Sequence, residues 1–430
     1  MALNLSQAEF DQIAGDLFLL KRPVPVPLPM PVNTSGANDL TTKLDPIKTN
    51  PRFNELSIGV VDFTAGVATP KIWLHREDLP WRTGSTGKIV PLLALFQLRS
   101  DVRKVRASGL VTTPEDFDEL FQVIWSKAST STAALKKIKD RPPRISTIFD
   151  VAPVSPEFLG FPTLNTHDIL NRLPDNPNHP GDLSERHLSW SVAKDFTPWE
   201  RMWLTGAHSD NVGASTLVSE IGVSYMKAVQ RAYGLFAPKK GKGMCLLLGS
   251  GYSTVDTAAK VNTSASSPNY RSLKDTECNI VTDVLKEGTT PPSQCSTQSG
   301  SAAALTAYMI ALMQEQLVGP SPNVAAELKK HLGGGPDSLT TFLVNGIRAS
   351  GVTVSLEHSK IGILGTINCE FAYMETDPVA ASGTAPAKPA LKFAVIAMGI
   401  KPKTVGGVQL SKVQIAEQLG VAIYEALAAP

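Results

Sequence analysis

Strand-like sequence lies at both ends of this chain and helical sequence in its middle, so a sheet has to be assembled from segments far apart in the chain. Near the start, Leu56-Ser57-Ile58-Gly59-Val60-Val61-Asp62-Phe63 and Lys71-Ile72-Trp73-Leu74 read as two strands joined by a turn at Thr64-Ala65-Gly66. Near the end, Val352 to Leu364, Thr366 to Thr376 and Leu391 to Ile400 read as strands. A Pro/Ala/Gly loop at 378–390 joins two of them, and a helix follows from about Leu410 to Ala428. In between, Glu115 to Trp125, Pro198 to Leu204, Ala214 to Tyr233, Ala302 to Leu317 and Val324 to Leu332 have helical patterns. Residues 141–190 and 250–300 are rich in Pro, Ser, Thr, Asn and Gly and read as loops. Residues 4–20 predict a short helix, and the alternating prolines of Arg22 to Pro31 an extended connector, because proline fixes φ and removes a donor. The expected class is α+β. Its parts are an N-terminal extension (1–50), a sheet part (51–100 with 336–430) and a mostly helical part with insertions (101–335).

The 430 residues, 42% apolar and 19% charged, supply a large core and predict one large or two intimately packed domains. With 41 basic residues against 39 acidic ones and no long run of one sign, nothing suggests nucleic-acid binding. Cys245, Cys278, Cys295 and Cys369 are irregularly spaced and stand near no histidine at ligand spacing, so no metal or other cofactor is expected. Cys278 and Cys295 flank the loop-like stretch Asn279 to Gln294; they could pair in an oxidising compartment, and free thiols are the simpler expectation. No segment approaches the length of a membrane span. The N-terminal residues are acidic where a secretory leader is basic, and the apolar run Leu17 to Leu20 is short. The compartment stays open, either cytoplasmic or that of a mature form whose leader was replaced by a start Met.

Three short motifs carry chemistry: Ser85-Thr86-Gly87-Lys88, Ser209-Asp210-Asn211 and Lys360-Ile361-Gly362. Ser85 directly precedes the apolar run Ile89 to Leu98, which predicts a buried helix opening near this serine. A serine there sits where free N–H groups and the helix dipole favour a developing anion. A lysine three residues on shares its face and can take the hydroxyl proton. The spacing S-x-x-K alone is weak, since Ser191/Lys194 and Ser224/Lys227 repeat it.

Taken together and in this order, the motifs resemble the S-x-x-K, S-D-N and K-T-G set of class A β-lactamases and penicillin-binding proteins. The resemblance covers roughly residues 50–428. It implies an antiparallel sheet with terminal helices plus an inserted all-helical region, the active site lying in the cleft between them. It also excludes Ser224, which follows Asn211, and Ser191, which lies too close to Ser209. The span from Ser85 to Ser209 is long for the family, so insertions are expected in the helical part. An extracytoplasmic, periplasmic or secreted location is implied if a leader was removed.

By the same resemblance, Ser85 is the nucleophile and Lys88 its base, with a pKa lowered by burial and by a second cation, Lys360. Ser209 relays a proton to the leaving group, Asn211 binds Lys88 and the substrate, and Asp210 fixes local backbone. Gly362 lets substrate lie along a strand edge, and the N–H groups of Ile363 and Ser85 form an oxyanion hole. Ile361 departs from the family's Thr or Ser. A substrate carboxylate then has to be held by Thr366, His358 or an arginine elsewhere. For deacylation, Asp275-Thr276-Glu277-Cys278-Asn279 offers Asp275 at the spacing of the family's water-activating glutamate, with Glu277 as a rival.

Other chemistries fit poorly. A phosphate loop ending at Lys88 would need Gly at 82 and Ser or Thr at 89, where Arg82 and Ile89 stand. No G-x-S-x-G elbow surrounds any serine. The expected substrates are small-molecule or peptide amides or esters, β-lactams by default. The alternatives are a D,D-peptidase, esterase or acyltransferase of the same fold, and a non-catalytic penicillin-binding or sensor domain.

Overall fold

The computed structural model describes residues 5–16, 28–34, 38–113, 115–121, 143–149, 163–235, 237–239, 242–247, 299–318, 322–335, 337–382 and 386–429. The strands in chain order are β1 (Ser57–Asp62), β2 (Lys71–His75), β3 (Pro80–Arg82), β4 (Ala237–Lys239), β5 (Lys242–Met244), β6 (Leu246–Leu247) and β7 (Ser299–Ser301). They continue with β8 (Val354–Leu364), β9 (Ile367–Thr376), β10 (Leu391–Ile400), β11 (Lys403–Val405) and β12 (Val408–Leu410). The longer helices are α1 (Gln7–Asp16), α2 (Asn38–Thr49), α3 (Ile89–Ala107), α4 (Pro198–Gly206), α5 (Asn211–Ile221) and α6 (Val223–Ala232). After them come α7 (Ala302–Met313), α8 (Pro322–Lys330), α9 (Phe342–Ala349) and α10 (Lys412–Ala428).

The main sheet has five antiparallel strands in the order β2-β1-β10-β9-β8, so the two ends of the chain do meet, through β1 against β10. Both faces are covered, which is why β1 and β10 read as nearly continuous apolar runs and not as alternating ones. One face, including Phe371, Tyr373, Ile396 and Met398, packs on α3 and α7. The other, including Ile58, Val60, Met374 and Val395, packs on α2, α9 and α10. Helix α7 is apolar on every side because it is enclosed. A third core, with Leu170, Trp203, Leu204 and Ala207, lies beneath the segment that leads to Ser209.

Several sequence boundaries shift for physical reasons. The helix expected over Ala214 to Tyr233 is two helices, broken at Gly222, whose φ of 85° ends α5. The last helix starts at Lys412 because Ser411 and Gln414 form a capping box; Leu410 belongs to β12. Helices α2 and α9 and the small sheet β3-β7-β6 were not anticipated. Pro46 inside α2 masks its helical character, and α9 is only eight residues long.

Candidate active site

Strand β3 pairs with β7, and after Thr83 the backbone tightens into a 3₁₀ turn, Gly84–Lys88, before α3 begins. Thr83 O anchors that turn by accepting from Thr86 N at 3.1 Å and Thr86 Oγ1 at 2.7 Å. Side chains three residues apart eclipse in a 3₁₀ helix, so Ser85 and Lys88 share a face. Ser85 is half-buried and Lys88 is fully buried.

Strand β8 is the sheet edge next to this turn. Its outer edge bonds to Gly333 at Ser359, with Gly333 N to Ser359 O at 2.7 Å and Ser359 N to Gly333 O at 3.1 Å. Peptide direction alternates along a strand, so Ile361 and Ile363 also aim their backbone groups away from β9. Gly362 lies directly on the serine turn: a Cβ there would stand 2.0 Å from Thr83 O, 2.7 Å from Thr86 N and 3.1 Å from Ser85 N. A Cβ on Gly84 would in turn stand 3.1 Å from Ile363 N. The two segments therefore meet backbone to backbone, and Gly362 is needed for that approach. The Ser85 and Ile363 amide nitrogens are brought close together as a result.

The S-D-N turn closes the site from the helical side. Lys88 Nζ donates to Asn211 Oδ1 at 2.8 Å, to the Ser209 carbonyl, and to Ser209 Oγ at 3.4 Å. Lys360 Nζ, from β8, donates to Ser209 Oγ at 2.6 Å and to Ile361 O at 3.0 Å. One hydroxyl thus lies between two buried lysine amines. Ser209 has a φ of 62°, a conformation rare for a non-glycine residue. Asp210 is buried, and its carboxylate accepts from backbone amides while its charge acts on Lys88. It caps α5 through Gly213 N at 2.7 Å and accepts from Leu188 N at 2.9 Å.

Burial sets the protonation of both lysines. It lowers Lys88 to about 7, with Asp210 opposing. Burial, and then the charge of Lys88, lowers Lys360 well below its usual value. For Asp210 burial acts upward, but bonds from His187, Gly213 and Leu188 hold the carboxyl below its ordinary range.

Of the sequence candidates, Lys88, Ser209, Asn211 and Lys360 come together in one hydrogen-bonded cluster beside Ser85. Ile361 does not join it. It is buried and paired with Glu370, so it lies on the face opposite Lys360, which pairs with Phe371. Glu370 accepts from Leu343 N at 3.1 Å and is raised to about 7 by burial. His358 stacks on Tyr373, and burial pushes it down to about 4, so at neutral pH it is uncharged. Thr366 is in the exposed turn between β8 and β9. Ser191 is exposed and bonded to Ser189. Asp275, Glu277, Asn279, Cys278 and Cys295 lie outside the described residues; Cys245 and Cys369 are buried free thiols. The sequence reading missed His187, whose Nδ1 is 3.5 Å from Asp210 Oδ2. It belongs to no motif, and 23 positions separate the two residues.

No family model matches the sequence, and no curated protein matches it. Among solved structures, a β-lactamase from Desulfarculus baarsii DSM 2075 is 15% identical, covering 91% of this chain and 98% of its own, with a TM-score of 0.40. The ancestral class A β-lactamase GNCA is 14% identical over 90% and 99%, with a TM-score of 0.41. A β-lactamase from Chitinophaga pinensis DSM 2588 is 10% identical over 91% and 100%, with a TM-score of 0.42. Among the described residues, no group of three or more His, Cys, Asp or Glu could hold a metal ion, and no helix is long and apolar enough to cross a membrane.

Proposed function

We propose that this protein is a serine hydrolase that forms an acyl-enzyme on Ser85 with amide or ester substrates, β-lactams among them. The observation that carries this reading is the cluster of Lys88, Ser209, Asn211 and Lys360 beside Ser85. Four polar groups from three distant segments converge there, and two of them are lysines that burial pushes toward the neutral form.

Neutral Lys88 takes the Ser85 proton as Oγ attacks the carbonyl carbon, and the negative charge on the carbonyl oxygen is received by the N–H groups of Ser85 and Ile363. Ser209 Oγ accepts from Lys360, which leaves its own proton for the departing amine or alkoxide; Lys88 then returns the proton it took to Ser209. Water completes the cycle by attacking the acyl group, with Asp275 as the candidate that activates it and Glu277 as the rival. Gly362 sets the approach of strand and serine turn. Ile361, in place of a hydroxyl residue, leaves recognition of a substrate carboxylate to other groups.

Incubation with a fluorescent penicillin and with an uncharged activated ester, followed by intact-mass analysis, tests the assignment. One equivalent of adduct is expected on the parent and none on Ser85→Ala, whose fold should be intact because Ser85 contributes little to the core. Labelling that survives in Ser85→Ala and is lost in Ser191→Ala would overturn it. A longer-lived adduct in Asp275→Asn than in Glu277→Gln would assign the water-activating carboxylate.

A further inference from the structure

Three consecutive residues run past the S-D-N turn and hold it. Arg186 O accepts from His208 Nε2 at 2.6 Å, His187 Nδ1 faces Asp210 Oδ2 at 3.5 Å, and Leu188 N donates to that same oxygen at 2.9 Å. Because a carbonyl can only accept, His208 carries its proton on Nε2. The residue between the two held positions is Ser209, whose φ of 62° persists only where the surroundings enforce it. His208 is further fixed by stacking on Trp203, with rings 13° apart and centroids 6.3 Å apart.

We propose that residues 186–188 form a latch that fixes the orientation of Ser209, and that His187 is a positioning residue which acts through Asp210 while it carries a positive charge. The proposal rests on the serine-hydrolase reading for its consequence in catalysis and on geometry for the latch itself. The other contacts of residues 186–188 with the S-D-N turn are made by backbone groups, the Arg186 carbonyl and the Leu188 amide, while the Arg186 side chain is turned to Asp175 and Asn171. The His187–Asp210 pair is the part that can be switched.

The charged and titratable groups around His187 come from each neighbouring element. Glu185 and Arg186 flank it in its own segment. Asp210 and His208 face it from the S-D-N turn, the His208 ring at 5.5 Å, and Lys88 reaches it from the serine turn. Lys360, on β8, faces His208. The bond from Asp210 raises His187 above its ordinary value, with burial opposing and Lys88 repelling. Burial lowers His208 whereas His187 is raised, so the two imidazoles are moved in opposite directions. Lys88 has to be neutral to act as base, whereas the latch is strongest with His187 protonated. The active form therefore needs a neutral Lys88 and a charged His187, so the rate falls as Lys88 gains its proton on the acid side and as His187 loses its proton on the alkaline side.

The test uses the full chain. The labelling rate of Ser85 by the uncharged ester should give a bell-shaped pH profile. In His187→Arg, which stays charged, the alkaline limb due to the latch should disappear. His187→Gln should lower the rate by about two- to fivefold at the optimum, the scale of one partly exposed ion pair, without shifting the acid limb. An alkaline limb unchanged in His187→Arg overturns the latch. Should the parent not label at all, NMR decides independently: the Ser209 and Asn211 amide signals should move with the His187 ring titration in the parent and lose that transition in His187→Gln. Amide signals that ignore the His187 titration overturn the proposal whatever the enzyme activity.

Discussion

The two walls of the site are built by opposite means. On the strand side, Gly362 and Thr83 bring β8 and the serine turn together backbone to backbone, and sterics alone dictate the spacing. On the helical side, the Ser209 turn is held by hydrogen bonds that Lys88 and Lys360 donate, by those that the Asp210 carboxylate accepts from Gly213 N and Leu188 N, and by the segment 186–188. A contact enforced by hard-core repulsion is all or none, whereas one made by hydrogen bonds and charge is graded and responds to pH. The approach of the Ser85 and Ile363 amides is thus set by sterics, and the cluster of lysine amines around the Ser209 hydroxyl is adjustable.

The strongest challenge to this contrast is at the amine shared by both walls. Lys88→Ala should slow acylation of Ser85 by about 10²–10⁴-fold, the usual range for a positioned base, measured as the rate of adduct formation. In His187→Arg, where the latch stays charged, that rate should rise as pH increases through about 7, since burial lowers Lys88 to about 7 and only the neutral amine accepts a proton. A rate independent of pH across this range in that variant would show that Lys88 is not the base.

Next in size is the strand wall. Gly362→Ala places a carbon 2.0 Å from Thr83 O, so the two backbones have to separate. A loss of about 1–3 kcal/mol of stability, as for an overpacked core, should accompany loss of labelling. Full labelling at parental stability would break the comparison, because this wall would then be as adaptable as the other.

The smallest effect is expected on the helical wall. Asp210→Ala removes the cap of α5 and should cost about 1–2 kcal/mol in chemical denaturation while the sheet persists. Labelling should fall part-way, not vanish. A collapse of activity equal to that of Gly362→Ala would mean that both walls are rigid.

What could be read from the sequence follows the same division. The strand pairs announced themselves through apolar runs such as Leu391 to Ile400, which matches β10 residue for residue, because burial on both faces leaves a local compositional mark. The amines and hydroxyls of the site were legible as short motifs, since each chemistry needs certain residue types at fixed spacing. What stayed hidden is contact between distant segments. Nothing local to His187 points to Asp210, and nothing at Gly362 reveals that its neighbour is Thr83 O and not a substrate. Ile361 could be read only as a missing hydroxyl; the pairing with Glu370 that turns it from Lys360 is a property of sheet register.

Strand β8 is also an edge of the main sheet, which matters for self-association. A bare edge invites another chain to add a strand. Here Gly333 occupies the outer edge at Ser359 and the serine turn blocks it at Gly362, so a foreign strand meets an obstacle within a few residues. Of the outward-facing groups beyond Ser359, the Ile361 carbonyl already accepts from Lys360 Nζ. An edge interrupted in this way leaves no long run of free peptide groups on β8 for another copy of this chain to pair with.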